Sequence, residues 1–197
     1  MSFLYVLMGK SATGKDHIYR DLLAAEDLKP VVRYTTRPMR EGETDGVQYH
    51  FVDRDRLAAL EREGKVIERI TYDTVYGPWD YFTVDDGQIR RDGEDRIMIG
   101  TLEVYEKLRD YFGADFVRPI YVETEDGLRL EHAMKRERKQ AVPKYEEMCR
   151  RFLADQEDFS EEKLARLGIT KRFENNGELS ECIERIRQDL FFANPRK

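Results

Sequence analysis

Gly9, Gly14 and Lys15 stand in the spacing G-x-x-x-x-G-K, between the apolar run Phe3 to Met8 and a helical segment reaching about Ala25. Glycines so placed let successive backbone N–H groups converge on phosphate oxygens. The helix that follows offers the positive end of its dipole, and the lysine adds a full charge. Gly9, Ser11, Ala12, Thr13, Gly14, Lys15 and Asp16 are therefore candidates to hold a polyphosphate. A Ser or Thr usually follows the lysine and reaches Mg²⁺ through its hydroxyl; here Asp16 follows. A carboxylate is also a hard oxygen ligand for Mg²⁺, so Asp16 is a candidate metal ligand. The other readings are an inactivating acid that repels phosphate and an exposed first-turn acid that meets only the helix dipole.

A second cluster lies in the ribbon RYTTRPMREGETDGVQYHFV, from Arg33 to Val52. Arg37 and Arg40 sit beside Pro38, and Tyr49 follows a Gly-Glu-Thr-Asp-Gly turn. Two guanidiniums and a phenol on one irregular ribbon suit a phosphate monoester, since arginine grips such a group bidentately and tyrosine donates from the rim. A solvated charged loop has the same composition. His17, His50 and His132 are given no role.

The elements that must position these groups can be read from the hydrophobic pattern. Phe3 to Met8 is nearly all apolar, as in a parallel strand covered on both faces. Val31 to Tyr34 reads as a short strand, and VQYHFV alternates like an edge strand. Asp53 to Gly64 carries the signals of a capped helix. KVIERITY and DYFTV read as strands with DTVYGPW as a loop between them, and VDDGQI reads as a turn. Arg96 to Gly100 and Val117 to Glu123 are expected core strands around a helix from about Leu102 to Phe112. Asp126 to Phe159 reads as helical with a break at Pro143, KRFENN as a last short strand and loop, and Gly177 to Phe191 as an amphipathic helix. Strand, loop and helix in this order imply an α/β fold with a doubly wound parallel sheet, carrying a small antiparallel insertion. The expected division is one domain over 1–197: a core at about 1–32, 94–125 and 160–197, an insertion at about 33–90, and a helical lid at about 126–159.

Composition narrows the function further. The 197 residues are 38% charged and 40% hydrophobic with net charge −6, enough for one core under a charged surface and without the basic excess of a nucleic-acid binder. Cys149 and Cys182 are far apart and read as reduced thiols in a cytoplasmic protein. No run approaches the ~20 apolar residues of a membrane span, and no signal peptide is expected ahead of the first strand. Oligomeric state is not legible.

TTRPMREGETDGVQYHFV closely resembles the signature of guanylate kinases, and with GKSATGK it supplies that family's two hallmark segments. The resemblance continues through GKVIERITYDTVYG and is weak but colinear from Arg96 to Leu190. It implies a phosphate-loop nucleoside monophosphate kinase: ATP with Mg²⁺ as donor, GMP as acceptor. It also implies that Glu68 reads the guanine edge, that Tyr76 and Gly77 close the monophosphate pocket, and that Asn175 or Asn176 lies near adenine. Arg33 falls where a small hydroxyl residue usually helps to read guanine, Thr101 where a nucleotide-contacting Asp is usual, and Pro78 where Ser or Thr is usual. The implied GMP set is thus Arg33, Arg37, Arg40, Tyr49, Glu68, Tyr76, Gly77 and Thr101. In place of the family's lid arginine stands KRERKQAVPKY, so Arg136 or Arg138 is expected to act with Arg151, alongside Lys15 and Arg37. Arg33 and Thr101 also motivate a kinase of the same fold with another phosphorylated acceptor. Non-catalytic modules of this fold that bind phosphopeptides give a further alternative.

Overall fold

The computed structural model describes residues 2–25, 28–74 and 76–192. A five-stranded parallel sheet runs in the order β2, β7, β1, β8, β9, built from Lys29–Pro30, Arg96–Ile99, Leu4–Met8, Val117–Glu123 and Phe173–Glu174. The period of two along its strands divides the core between two faces. Leu4, Val6 and Met8 of β1 point with Met98, Val117 and Tyr121 toward helix α3 (Leu102–Phe112), packing on Val104, Tyr105 and Leu108. Tyr5 and Leu7 point the other way with Ile97, Ile120 and Val122. There they meet Ile18 and Leu22 of α1 (Lys15–Ala25) and Ile183 and Ile186 of α7 (Leu179–Arg187). Both faces are covered, which is why the central strands read as continuous apolar runs.

A four-stranded sheet, ordered β4, β3, β6, β5, stands apart from the first (β3 Tyr34–Thr35, β4 His50–Phe51, β5 Val66–Thr74, β6 Gly77–Val84). Its β5–β6 and β3–β6 pairs are antiparallel and its β3–β4 pair is parallel. Helix α2 (Arg54–Arg62) closes a small core on it with Leu57 and Leu60 against Phe82 and Val84, and the Asp53 carboxylate caps that helix through the Arg56 N–H at 2.7 Å. Helices α4 (Asp126–Glu137), α5 (Tyr145–Asp158) and α6 (Glu161–Arg166) complete the chain before β9. Among the described residues no helix is long and apolar enough to cross a membrane.

Four expectations are corrected. The VQYHFV strand shrinks to His50–Phe51, because the Asp45 carboxylate takes the Phe51 N–H at 2.7 Å and Gly46 turns the chain at φ 78°. The supposed DTVYGPW loop is mostly strand: β5 and β6 pair out to Thr74 and Gly77. Pro78 is tolerated there because β3 pairs only with Tyr81 and Phe82 of β6 and does not reach it. Helix α6 follows α5 after a break that was not legible, and α7 ends in a π turn at Gln188–Phe192 rather than running on as an α-helix. The expected core boundary at 197 lies outside the described residues.

Candidate active site

The first candidate loop joins β1 to α1, and its backbone is shaped by close approach. A Cβ on Gly9 would stand 2.4 Å from the carbonyl oxygen of Val122, so only glycine lets the loop pass this near β8. Ala12 holds φ 64°, an uncommon conformation for a residue with a side chain, and Thr13 Oγ1 ties the turn to the Lys10 carbonyl at 3.0 Å. Lys15 folds back over the loop, its Nζ donating to the Lys10 carbonyl at 2.7 Å. Burial pushes its ammonium down to about 8, while the nearby Asp16 and Asp155 carboxylates act in the opposite direction.

Two cavities open on either side of this lysine. One, of about 530 Å³, lies between α1 and α4 and is lined by His132, Lys135 and Arg136 with Asn175 and Asn176. The other, of about 510 Å³, lies toward the second sheet and is lined by Arg33, Tyr49, Tyr72, Tyr81 and Thr101. Lys15 and Asp16 line both. Asp16 is exposed in the first turn of α1, so its carboxylate is available at the junction. Among the described residues there is no cluster of three or more His, Cys, Asp or Glu that would hold a metal by itself. One free carboxylate beside a phosphate site nevertheless fits Mg²⁺, which keeps waters and takes most of its remaining ligands from substrate phosphates.

Helix α5 docks on the loop from above. Asp155 Oδ2 accepts from the Ser11 N–H at 2.7 Å and from Arg129 Nη2 at 2.7 Å. Arg129, from α4, is fully buried; it also donates to the Ser11 carbonyl at 3.0 Å and to Asp126 at 2.6 Å, and lies 4.7 Å over the Phe152 ring. Lys10 Nζ donates to Gln156 at 2.5 Å. A carboxylate thus occupies an amide of the phosphate loop. Sequence reasoning missed both Arg129 and Asp155, because their loop partner Ser11 is more than a hundred positions away; only the i, i+3 spacing of Asp126 and Arg129 hinted at a pair.

The other candidates divide. Asn175 is buried and donates to the Thr13 carbonyl at 2.9 Å, which fastens β9 to the loop. The Thr101 hydroxyl caps α3 by accepting from the Val104 N–H at 3.3 Å, at the cavity wall. Tyr49 lines the second cavity and meets Tyr81 edge-on at 5.5 Å. Arg37 does not line it: its guanidinium is buried and paired bidentately with Glu43 at 2.7 and 2.6 Å, stacked near the Tyr49 and Phe51 rings. That pairing, with the Arg40 N–H, holds the Glu43 carboxyl down at about 2. Arg40 is exposed beside it. Glu68 is buried and lies behind Arg33 rather than on the cavity wall. Tyr76 is 83% exposed at the β5–β6 tip, stacked on Trp79 beside Gly77, away from both cavities. Arg138, at the end of α4, and Arg151, paired with Glu147 at 2.7 Å, are exposed and line neither cavity; Arg136 lines the first. His17 and His132, given no role from sequence, also line the first cavity, and His132 Nδ1 lies 3.3 Å from the Ala12 carbonyl.

A glycine-bearing loop at the end of the first parallel strand, a cavity on each side of its lysine and a separate, mainly antiparallel sheet define an α/β fold of the phosphate-loop type. The solved structure of guanylate kinase from Anaplasma phagocytophilum has this fold, with TM-score 0.68 at 19% identity over 100% of this chain and 88% of that one. Residues 1–86 match the model of the guanylate kinase family. Guanylate kinase of Alkalilimnicola ehrlichii is 46% identical over 66 residues, 33% of this chain and 32% of that protein. Guanylate kinase of Coxiella burnetii is 37% identical over 76 residues, 38% of this chain and 37% of that protein. The matches therefore span about a third of the length of these curated relatives.

Proposed function

We propose that the chain transfers the γ-phosphoryl group of ATP to a nucleoside monophosphate, GMP + ATP giving GDP + ADP. The observation that carries this reading is the position of Lys15 and Asp16 on the walls of both cavities, which puts one ammonium and one carboxylate between two substrate-sized spaces. Phosphoryl transfer needs positioning and charge stabilisation more than covalent chemistry from the protein.

In this reading the first cavity takes ATP. Its phosphates lie over Ala12, Gly14 and Lys15, and reach the Ser11 amide only where they displace Asp155; its base lies toward Asn175 and Asn176, and Lys135 and Arg136 face the polyphosphate from α4. Mg²⁺, when bound, neutralises charge on the transferring group, and Asp16 is the side chain placed to hold it. Lys15 follows the γ-phosphoryl as it moves. The second cavity takes the monophosphate, its phosphate held from Tyr49, by Arg40 and by Arg37 once that guanidinium turns from Glu43. Residues 126–159 act as a lid over a core and a separate acceptor insertion. Closure draws Arg136 inward, and Tyr76, Arg138 and Arg151 reach substrate only if their elements move. Exclusion of water then suppresses simple ATP hydrolysis.

A second reading, the same chemistry on another phosphorylated acceptor, is favoured by Arg33, which covers Glu68 where the family's resemblance would put the base. ADP release measured with a panel of monophosphates and sugar phosphates decides between them. Release that depends on GMP supports the first; release with another acceptor and none with GMP supports the second. ATP binding with no acceptor turned over would leave a binding module.

A further inference from the structure

Arg33 stands just before β3, and its Nη2 donates to Glu68 Oε1 at 2.5 Å. The same carboxylate oxygen accepts from Thr83 Oγ1 at 2.6 Å. Glu68 is 5% exposed and absent from the cavity wall, whereas Arg33 lines the second cavity and a neighbouring recess of about 160 Å³ shared with Tyr49 and Tyr19. Among the described residues, Glu68 Oε2 and Arg33 Nε are buried without a hydrogen-bond partner, so the pair is not saturated. A base entering the cavity first meets the guanidinium, and the carboxylate behind it is half spent.

The two groups ask for opposite edges. A carboxylate only accepts, and suits the ring N–H and 2-amino group of guanine. A guanidinium only donates, and suits a carbonyl. We propose that Arg33 sets acceptor preference by reading the 6-oxo group of a purine, removing the need for a 2-amino group. The acceptor class is then any 6-oxopurine nucleoside monophosphate, GMP and IMP alike. AMP, which turns a 6-amino donor toward a wall of donors, is disfavoured. The inference rests on the proposed kinase activity.

The test is kcat/KM for GMP, IMP and AMP at saturating ATP and Mg²⁺, in the wild-type protein and in Arg33→Ser, with circular dichroism to check folding. In the wild type GMP and IMP are expected within about threefold of each other and AMP at least about tenfold lower, the scale of one lost polar contact. Arg33→Ser uncovers Glu68 and is expected to raise the GMP-to-IMP ratio by about tenfold or more. A wild-type preference for GMP over IMP of that size overturns the proposal without recourse to any variant, as does an unchanged ratio in folded Arg33→Ser. Turnover of no monophosphate by the wild type overturns the kinase reading, and this proposal with it; AMP turned over as well as GMP and IMP overturns this proposal alone.

Discussion

Lys15 is the residue on which both cavities converge, and its environment fixes how it responds to pH. Burial lowers its ammonium from 10.5 to about 8, so the charge proposed to meet phosphate is present at pH 7 and lost as pH rises through 8. ATP affinity measured by calorimetry is therefore expected to fall between pH 7 and 9 and not to change in Lys15→Met, whose affinity is already low. The sign for folding is the reverse. Between about 8 and the ordinary lysine range the unfolded chain binds the proton that the folded chain has shed, so this group's contribution to stability rises with pH across that window. Turnover in Lys15→Met is expected to drop by about a hundredfold or more, the scale of removing one charge-stabilising donor at a transition state. Asp16→Ala is expected to weaken Mg²⁺ dependence and turnover while leaving the melting temperature near wild type, because the carboxylate is exposed. Lys15 and Asp16 were legible because the glycine spacing is local. The burial of Arg37 against Glu43 was not, because the same residues at the same spacing make either a phosphate clamp or an internal ion pair, and an acid six positions away decides which.

At the scale of elements, helix α5 is tied to the phosphate loop by one carboxylate. Asp155 takes the Ser11 amide that a phosphate oxygen would use, and it anchors the fully buried Arg129. Asp155→Ala frees the amide and removes a negative charge from the donor site, so ATP affinity is expected to rise severalfold by calorimetry. The same change leaves Arg129 with Asp126 and the Ser11 carbonyl but without its second carboxylate, a loss of about 1.5–3 kcal/mol in chemical denaturation. ATP affinity that stays level or falls would mean that α5 does not compete with phosphate. The strands of the parallel sheet were legible because residues covered on both faces must be apolar without interruption. The second sheet was read less well. β4 is cut short by the Asp45 side chain, and the β5–β6 hairpin runs through a Gly-Pro pair that ordinarily signals a loop.

For the molecule as a whole, the parallel sheet is the part packed on both faces, and the candidate site lies where it faces the second sheet and helices α4 and α5. Leu108 is fully buried between α3 and the sheet, so Leu108→Ala is expected to cost about 2–5 kcal/mol in denaturant unfolding with little change in the KM of either substrate. The α/β class was legible from the order of strands and helices, whereas the way the two cavities meet was not. That meeting depends on contacts such as Asn175 to Thr13 and Arg129 to Ser11, which join the second half of the chain to its first few residues. The most direct measurement is simultaneous quantification of ADP and phosphorylated acceptor, with purified protein, ATP, Mg²⁺ and GMP. ADP and GDP forming in equal amounts, and neither forming without GMP, is the expected result; ATP retained on the protein with no phosphate passed to GMP or any other monophosphate would contradict phosphoryl transfer between the two cavities.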